Sequence, residues 1–181
     1  NRLGMIVDLS HAGKKTCLDA IKFSKKPVAI SHANPTFFHK SIRNIESDVL
    51  KKLVNKNGFI GLSLYPYHLK NLGKCKEEDF AQMIKDLIQL IGEDNIGIGS
   101  DLCLNWPNEV VMWMRNGKWT KKIDYGESKE KNPEWPELPS WYNKPGDLKN
   151  LFYILNKNNI SEKISEKIVG TNWLNFMKQH F

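Results

Sequence analysis

Two histidines close nearly the same phrase: "VDLSHAG" carries His11 and "VAISHAN" carries His32. Each follows a short apolar run. If those runs are neighbouring parallel strands, the two imidazoles start about 5 Å apart at the backbone and can converge on one or two metal ions. Imidazole suits zinc, and carboxylates would complete such a set. Asp101, after "IGIGS", is a third candidate. A carboxylate at a strand end can hold a metal, take a proton from a metal-bound water, or cap the following turn. Arg43, in "KSIRNIES", stands just before a helical stretch, where its guanidinium can grip a carboxylate in bidentate fashion. Tyr65 ends the run "GFIGLSLY". His39 and His68 lie in polar loops and His180 stands beside the last residue, so all three are expected at the surface.

These residues need elements to hold them. Four runs rich in Ile, Val, Leu and Gly occupy 3–9, 27–31, 58–65 and 95–101. They are too short for helices and too continuous for a half-exposed sheet, which predicts buried parallel strands. Helical spacing follows at about 14–23, 46–56 and 77–92, giving a repeated βα unit. Residues 102–146 break the pattern: they hold five of the six Trp and five of the eight Pro, with one short helix expected from Pro107. Such aromatic density predicts a lid or an oligomer contact ahead of direct substrate stacking. Helical spacing resumes near 147 and 161, where Asn159 and Glu162 are expected to cap reciprocally, and "NWLNFMKQHF" closes the chain.

Serial βα units make an α/β fold, either an open doubly wound sheet or part of a (β/α)₈ barrel. The first βα turn lacks Gly-x-Gly-x-x-Gly, and no Gly-x-x-x-x-Gly-Lys-Ser/Thr occurs, which removes the main support for a nucleotide-binding open sheet. A barrel with a metal or acid-base site gains.

Composition narrows the function classes. The 181 residues carry a formal charge of +7, but the basic residues are mostly Lys interleaved with acids, a solvated surface more than a nucleic-acid footprint. Three dispersed cysteines suggest neither a disulfide framework nor a zinc ribbon. No run approaches the roughly 20 apolar residues of a membrane span. The cytoplasm is the default compartment, with secretion or the periplasm as the alternative.

The ordered phrases "GMIVDLSHAG", "PVAISHAN", "SIRNI", "GFIGLSLYP", "IGIGSDL" and "IVGTNWLNFM" resemble the carboxyl-terminal half of the membrane (renal) dipeptidase family, zinc-dependent amidohydrolase-like (β/α)₈ barrels. The resemblance implies that residues 1–181 form the second half of one barrel domain, with 102–146 as an insertion. It implies a dipeptide substrate and a binuclear zinc site. His11 and His32 would then bind the second zinc, Arg43 would hold the substrate carboxylate, and Tyr65 would line the pocket. Asp101 would receive the free amine or shuttle a proton while a zinc-held hydroxide attacks the scissile carbonyl.

The same resemblance implies parts that this sequence lacks. The family's His-x-Asp at the first strand and its bridging glutamate at the third are absent, and "NRLG" reads as the tail of a helix entering the fifth strand. A fragment or split polypeptide is therefore expected, inactive alone and requiring an amino-terminal half, or pairing with a second copy through its exposed edge. Leu102 and Cys103 also replace the family's Phe-Asp after the Gly-Ser-Asp, so the loop there should differ. The competing expectation is a non-catalytic binding or assembly module that keeps the scaffold and uses the aromatic stretch as an interface.

Overall fold

The computed structural model describes residues 2–116 and 135–180; the 117–134 part of the Trp-rich stretch lies outside them. Three parallel strands, β1 (Ala29–Ile30), β2 (Phe59–Leu62) and β3 (Ile96–Ile98), pair in chain order. The register sets Ala29 against Phe59 and Gly61 against Gly97. The run expected as a first strand at 3–9 is reduced to one parallel bridge, Asp8 to Ala29. Its ladder consists of the Leu9 amide to the Ala29 carbonyl (2.8 Å) and the Ala29 amide to the Val7 carbonyl (3.0 Å). A strand with a partner on one side only has half the ladder to hold its ends, which shortens it relative to its hydrophobic pattern. The other strands are likewise shorter than the apolar runs that announced them.

Between the strands lie α1 (Lys14–Phe23), α2 (Ser47–Val54) and α3 (Glu77–Ile91). Glu77, Glu78 and Asp79 place negative charge on the first turn of α3, complementing its dipole, and Gly92 at φ 79° ends it in a conformation that suits glycine. After β3 come α4 (Asn108–Asn116), α5 (Leu148–Lys157), α6 (Glu162–Glu166) and α7 (Asn172–Lys178). The expected reciprocal cap of Asn159 with Glu162 does not form. Ser161 caps α6, accepting from the Ile164 amide, while Asn159 takes a left-handed φ of 64° just after α5. A π-helical turn, Lys167–Thr171, joins α6 to α7.

The two-residue period of the strands divides their side chains between two faces. Ile30, Ile60, Leu62 and Ile96 face the helices and pack with Leu50, Leu53, Phe80, Ile84 and Leu155 in the main core. Each such fully buried side chain contributes roughly 1.5–3 kcal/mol. The opposite face carries Ala29 and Phe59, covered by Phe176 and Trp173 of α7 and by Ile6. Trp173 donates from Nε1 to the Ile98 carbonyl (2.8 Å), and Asn172 donates to the Glu93 and Ile96 carbonyls (2.7 and 2.8 Å), so α7 is bolted to β3. Among the described residues no helix is long and apolar enough to cross a membrane.

Candidate metal and substrate site

Asp8, Ser10 and Ser31 continue the face of Ala29 and Phe59 to the carboxyl ends of the strands. Glycine is required there. A Cβ at Gly61 or Gly99 would overlap the Ser31 carbonyl, so these two positions let β2 and β3 close around the end of β1.

The two phrase-ending histidines meet. His11 Nε2 and His32 Nε2 stand 3.0 Å apart, their rings crossing at 62°. His11 sits at φ 66°, a left-handed strand-end conformation that swings its ring across to the neighbouring strand. Two nitrogens sharing a tetrahedral zinc at about 2.0–2.1 Å are about 3.3 Å apart, so this pair has nearly the spacing that one ion would need.

Asp8 organises the pair. Its Oδ1 accepts from the Ser10 amide (3.0 Å), the Ser10 hydroxyl (2.9 Å) and the Ser31 amide (2.9 Å). Its Oδ2 accepts from the Ser31 hydroxyl at 2.5 Å. With that proton committed to Asp8, the Ser31 oxygen is left to accept from Nδ1–H of His32 at 2.8 Å. This tautomer points the Nε2 lone pair of His32 at the shared position. Burial works to raise the Asp8 carboxyl, but the four hydrogen bonds from Ser31 and Ser10 outweigh it and hold the group below the usual carboxylate range. The His11 imidazole is pushed down by burial and then by the Arg43 and His32 charges, against Asp8, so the neutral, metal-binding form is favoured. The signal for Asp8 was present in "DLS", an Asx turn at a strand end.

Asp101 adopts φ 52° just beyond β3. Burial pushes its carboxyl up, while His32 and then Arg43 pull it back, which places all three in one electrostatic neighbourhood. Arg43 lies on a loop fixed from below by buried amides. Asn34 donates to the Ser63 and His68 carbonyls (2.9 and 3.1 Å), and Asn44 donates to the His39 and His68 carbonyls (2.8 and 3.1 Å). Tyr65 stands one strand over, its ring against His68 (5.3 Å) and Tyr67 (5.8 Å).

Two of the three histidines expected at the surface are buried instead. His68 is 2 % exposed, with Nδ1 on the Ser63 hydroxyl at 2.7 Å. His180 is 4 % exposed, its ring nitrogens facing the Phe176 and Pro27 carbonyls at 3.1 and 2.9 Å, which pins the last helix to the approach of β1. His39 is half-buried. Polar spacing misled here because a short 3₁₀ turn, Pro66–His68, tucks its last residue beneath the Asn34–Asn44 network.

Among the described residues no cluster of three or more His, Cys, Asp or Glu is placed to hold a metal, so the pair offers two ligands. A cavity of about 700 Å³ lies to one side, between Gly13, Lys14, Thr36, Phe37, Ser41 and Glu46, and neither imidazole lines it.

A sequence profile described as membrane dipeptidase (Peptidase family M19) matches residues 1–107, a span that contains His11, His32, Arg43, Tyr65 and Asp101. An uncharacterised dipeptidase of Schizosaccharomyces pombe is 35% identical over 103 residues, 56% of this chain and 25% of that protein. The crystal structure of an amidohydrolase from Pseudomonas aeruginosa superposes with a TM-score of 0.89 at 29% identity, covering 98% of this chain and 53% of that one. A metallo peptidase of Rhodobacter sphaeroides, liganded with a phosphinate mimic of the dipeptide L-Ala-D-Ala, shares the fold with a TM-score of 0.75 at 21% identity, covering 99% of this chain and 44% of that one. The chain spans about half the length of these solved structures and its match about a quarter of the yeast protein.

Proposed function

The chain belongs to the membrane dipeptidase family, and from that premise we propose that it is the carboxyl-terminal half of a (β/α)₈ zinc dipeptidase, competent once an amino-terminal half completes the barrel. The observation that carries this is the His11–His32 pair: two Nε2 atoms 3.0 Å apart at the ends of adjacent parallel strands. A binuclear zinc centre, when bound, supplies an activated water and polarises the scissile carbonyl. His11 and His32 would hold one ion, and the remaining ligands would come from the other half of the barrel.

This chain's residues do the rest. Arg43, on its amide-braced loop, offers a bidentate grip for the free carboxylate of a dipeptide. Asp101, beyond the end of β3 and two strands from His32, takes the free amine or carries the proton to the leaving nitrogen. Its carboxyl, raised by burial, suits a group that alternates between charged and neutral forms. Fixing both ends of the substrate selects dipeptides over longer chains, because a third residue would bury an uncharged amide against Arg43 or Asp101.

Co-expression of residues 1–181 with a family-type amino-terminal half, zinc loading and a dipeptide assay test the reading. The expected result is hydrolysis of free dipeptides and little turnover of their amidated or acetylated forms. A folded, zinc-loaded complex with no hydrolysis contradicts it.

A further inference from the structure

A smaller cavity lies beside Tyr65 and the loop after Asp101. It has a volume of about 210 Å³ and is walled chiefly by Tyr65, Cys103, Leu104, Trp106, Trp135 and Leu138. Among the described residues no charged side chain lines it. Pockets that take a whole drug-sized ligand run to roughly 300–1,000 Å³, so this one is of a size for a single side chain.

Its place in the fold connects it to the substrate. The Leu64 amide donates to the Ser100 carbonyl (3.1 Å), which sets Tyr65 of the cavity wall beside Asp101. Cys103, another wall residue, lies two positions past Asp101 and directs its Sγ back to the Asp101 carbonyl (3.8 Å). The left-handed turns at Asp101 (φ 52°) and Asn105 (φ 59°) frame this loop. The aromatic wall is tied in place: Trp135 donates from Nε1 to the Pro107 carbonyl (3.2 Å) and from its amide to Asn108 Oδ1 (3.4 Å). Burial raises the Cys103 thiol, so it stands there as a neutral, soft surface.

Resting on the dipeptidase reading, in which Asp101 receives the substrate amine, we infer that this cavity is the subsite for the side chain of the amino-terminal residue, and that it selects large apolar or aromatic side chains. Indole and leucine walls reward such side chains by burying area and by ring stacking, and they offer nothing to a charged one. The described part of the Trp-rich stretch thus contributes directly to substrate choice.

The test uses the complete zinc-loaded enzyme carrying this chain and two substrates, Phe-Ala and Gly-Ala. The unsubstituted enzyme should favour Phe-Ala in kcat/KM. Trp106→Ala together with Trp135→Ala, which opens the cavity, and separately Leu138→Trp, which fills it, should each lower the Phe-Ala to Gly-Ala ratio about tenfold or more. A ratio unchanged within about twofold in the filled variant overturns the assignment, as does an unsubstituted enzyme that prefers Gly-Ala. Failure of the unsubstituted enzyme to cleave either dipeptide overturns the dipeptidase reading itself, and the subsite with it.

Discussion

His32 is set by two residues that never touch the shared position. Asp8 fixes the Ser31 hydroxyl and Ser31 fixes the ring, so the orientation and tautomer of His32 depend on a carboxylate two hydrogen bonds away. Asp8→Asn preserves the size of the side chain but weakens that chain of bonds. In the complete zinc-loaded protein, competitive chelator titration should show about 10–100-fold weaker metal binding, with the far-ultraviolet spectrum unchanged. His68 makes a different prediction. Its imidazole is held down to about 3, first by burial and then by the nearby Arg43 and histidine charges. Between that value and the ordinary 6.5, the unfolded chain binds a proton that the folded one refuses. Stability is therefore full above pH 6.5 and declines as pH falls toward 3, by at most about 1.4 kcal/mol per pH unit from this group. Urea midpoints at pH 7 and pH 5 should differ less for His68→Gln than for the unsubstituted protein; equal differences would contradict the assignment. Among these residues the sequence displayed the imidazole pair, because identical phrases at strand ends are a local pattern. It hid the burial of His68 and His180, which depends on which distant carbonyls a loop folds against.

The elements show the same division. Three of the four apolar runs contain strands, but the strand ends did not follow from them, because a ladder is set by neighbours and the first run has a partner on one side only. The glycines of β2 and of the turn after β3 belong at this scale. They read as strand composition, yet Gly61 and Gly99 make room for the Ser31 carbonyl and hence for the end of β1. Gly61→Ala or Gly99→Ala should cost about 1–3 kcal/mol in chemical denaturation and displace His32, because backbone must move. Gly13→Ala, where an added Cβ meets nothing, should change stability by no more than about 0.5 kcal/mol. Similar losses at Gly61 and Gly13 would mean that close packing against Ser31 is unimportant. The π turn before α7 had no legible signal, although it sets Asn172 and Trp173 against the β3 backbone.

At the scale of the whole molecule, Leu3 (73 % exposed) and Met5 (66 % exposed) stand just ahead of the Asp8–Ala29 bridge on the outer side of β1. Under the proposed half-barrel reading, that edge is where an amino-terminal half would add its strands. The family was legible from short ordered phrases because most of them run through strand ends, where a local pattern is preserved. The substrate-side walls were less so, since they are assembled from Tyr65, the loop after Asp101 and a distant Trp135. The central claim is that His11 and His32 share one ion of a two-metal site, and metal content in the reconstituted complete barrel tests it most directly. The account predicts about two zinc ions per unsubstituted barrel and about one in His11→Ala with His32→Ala, with dipeptide hydrolysis lost. Retention of both ions by the doubly substituted protein would contradict it.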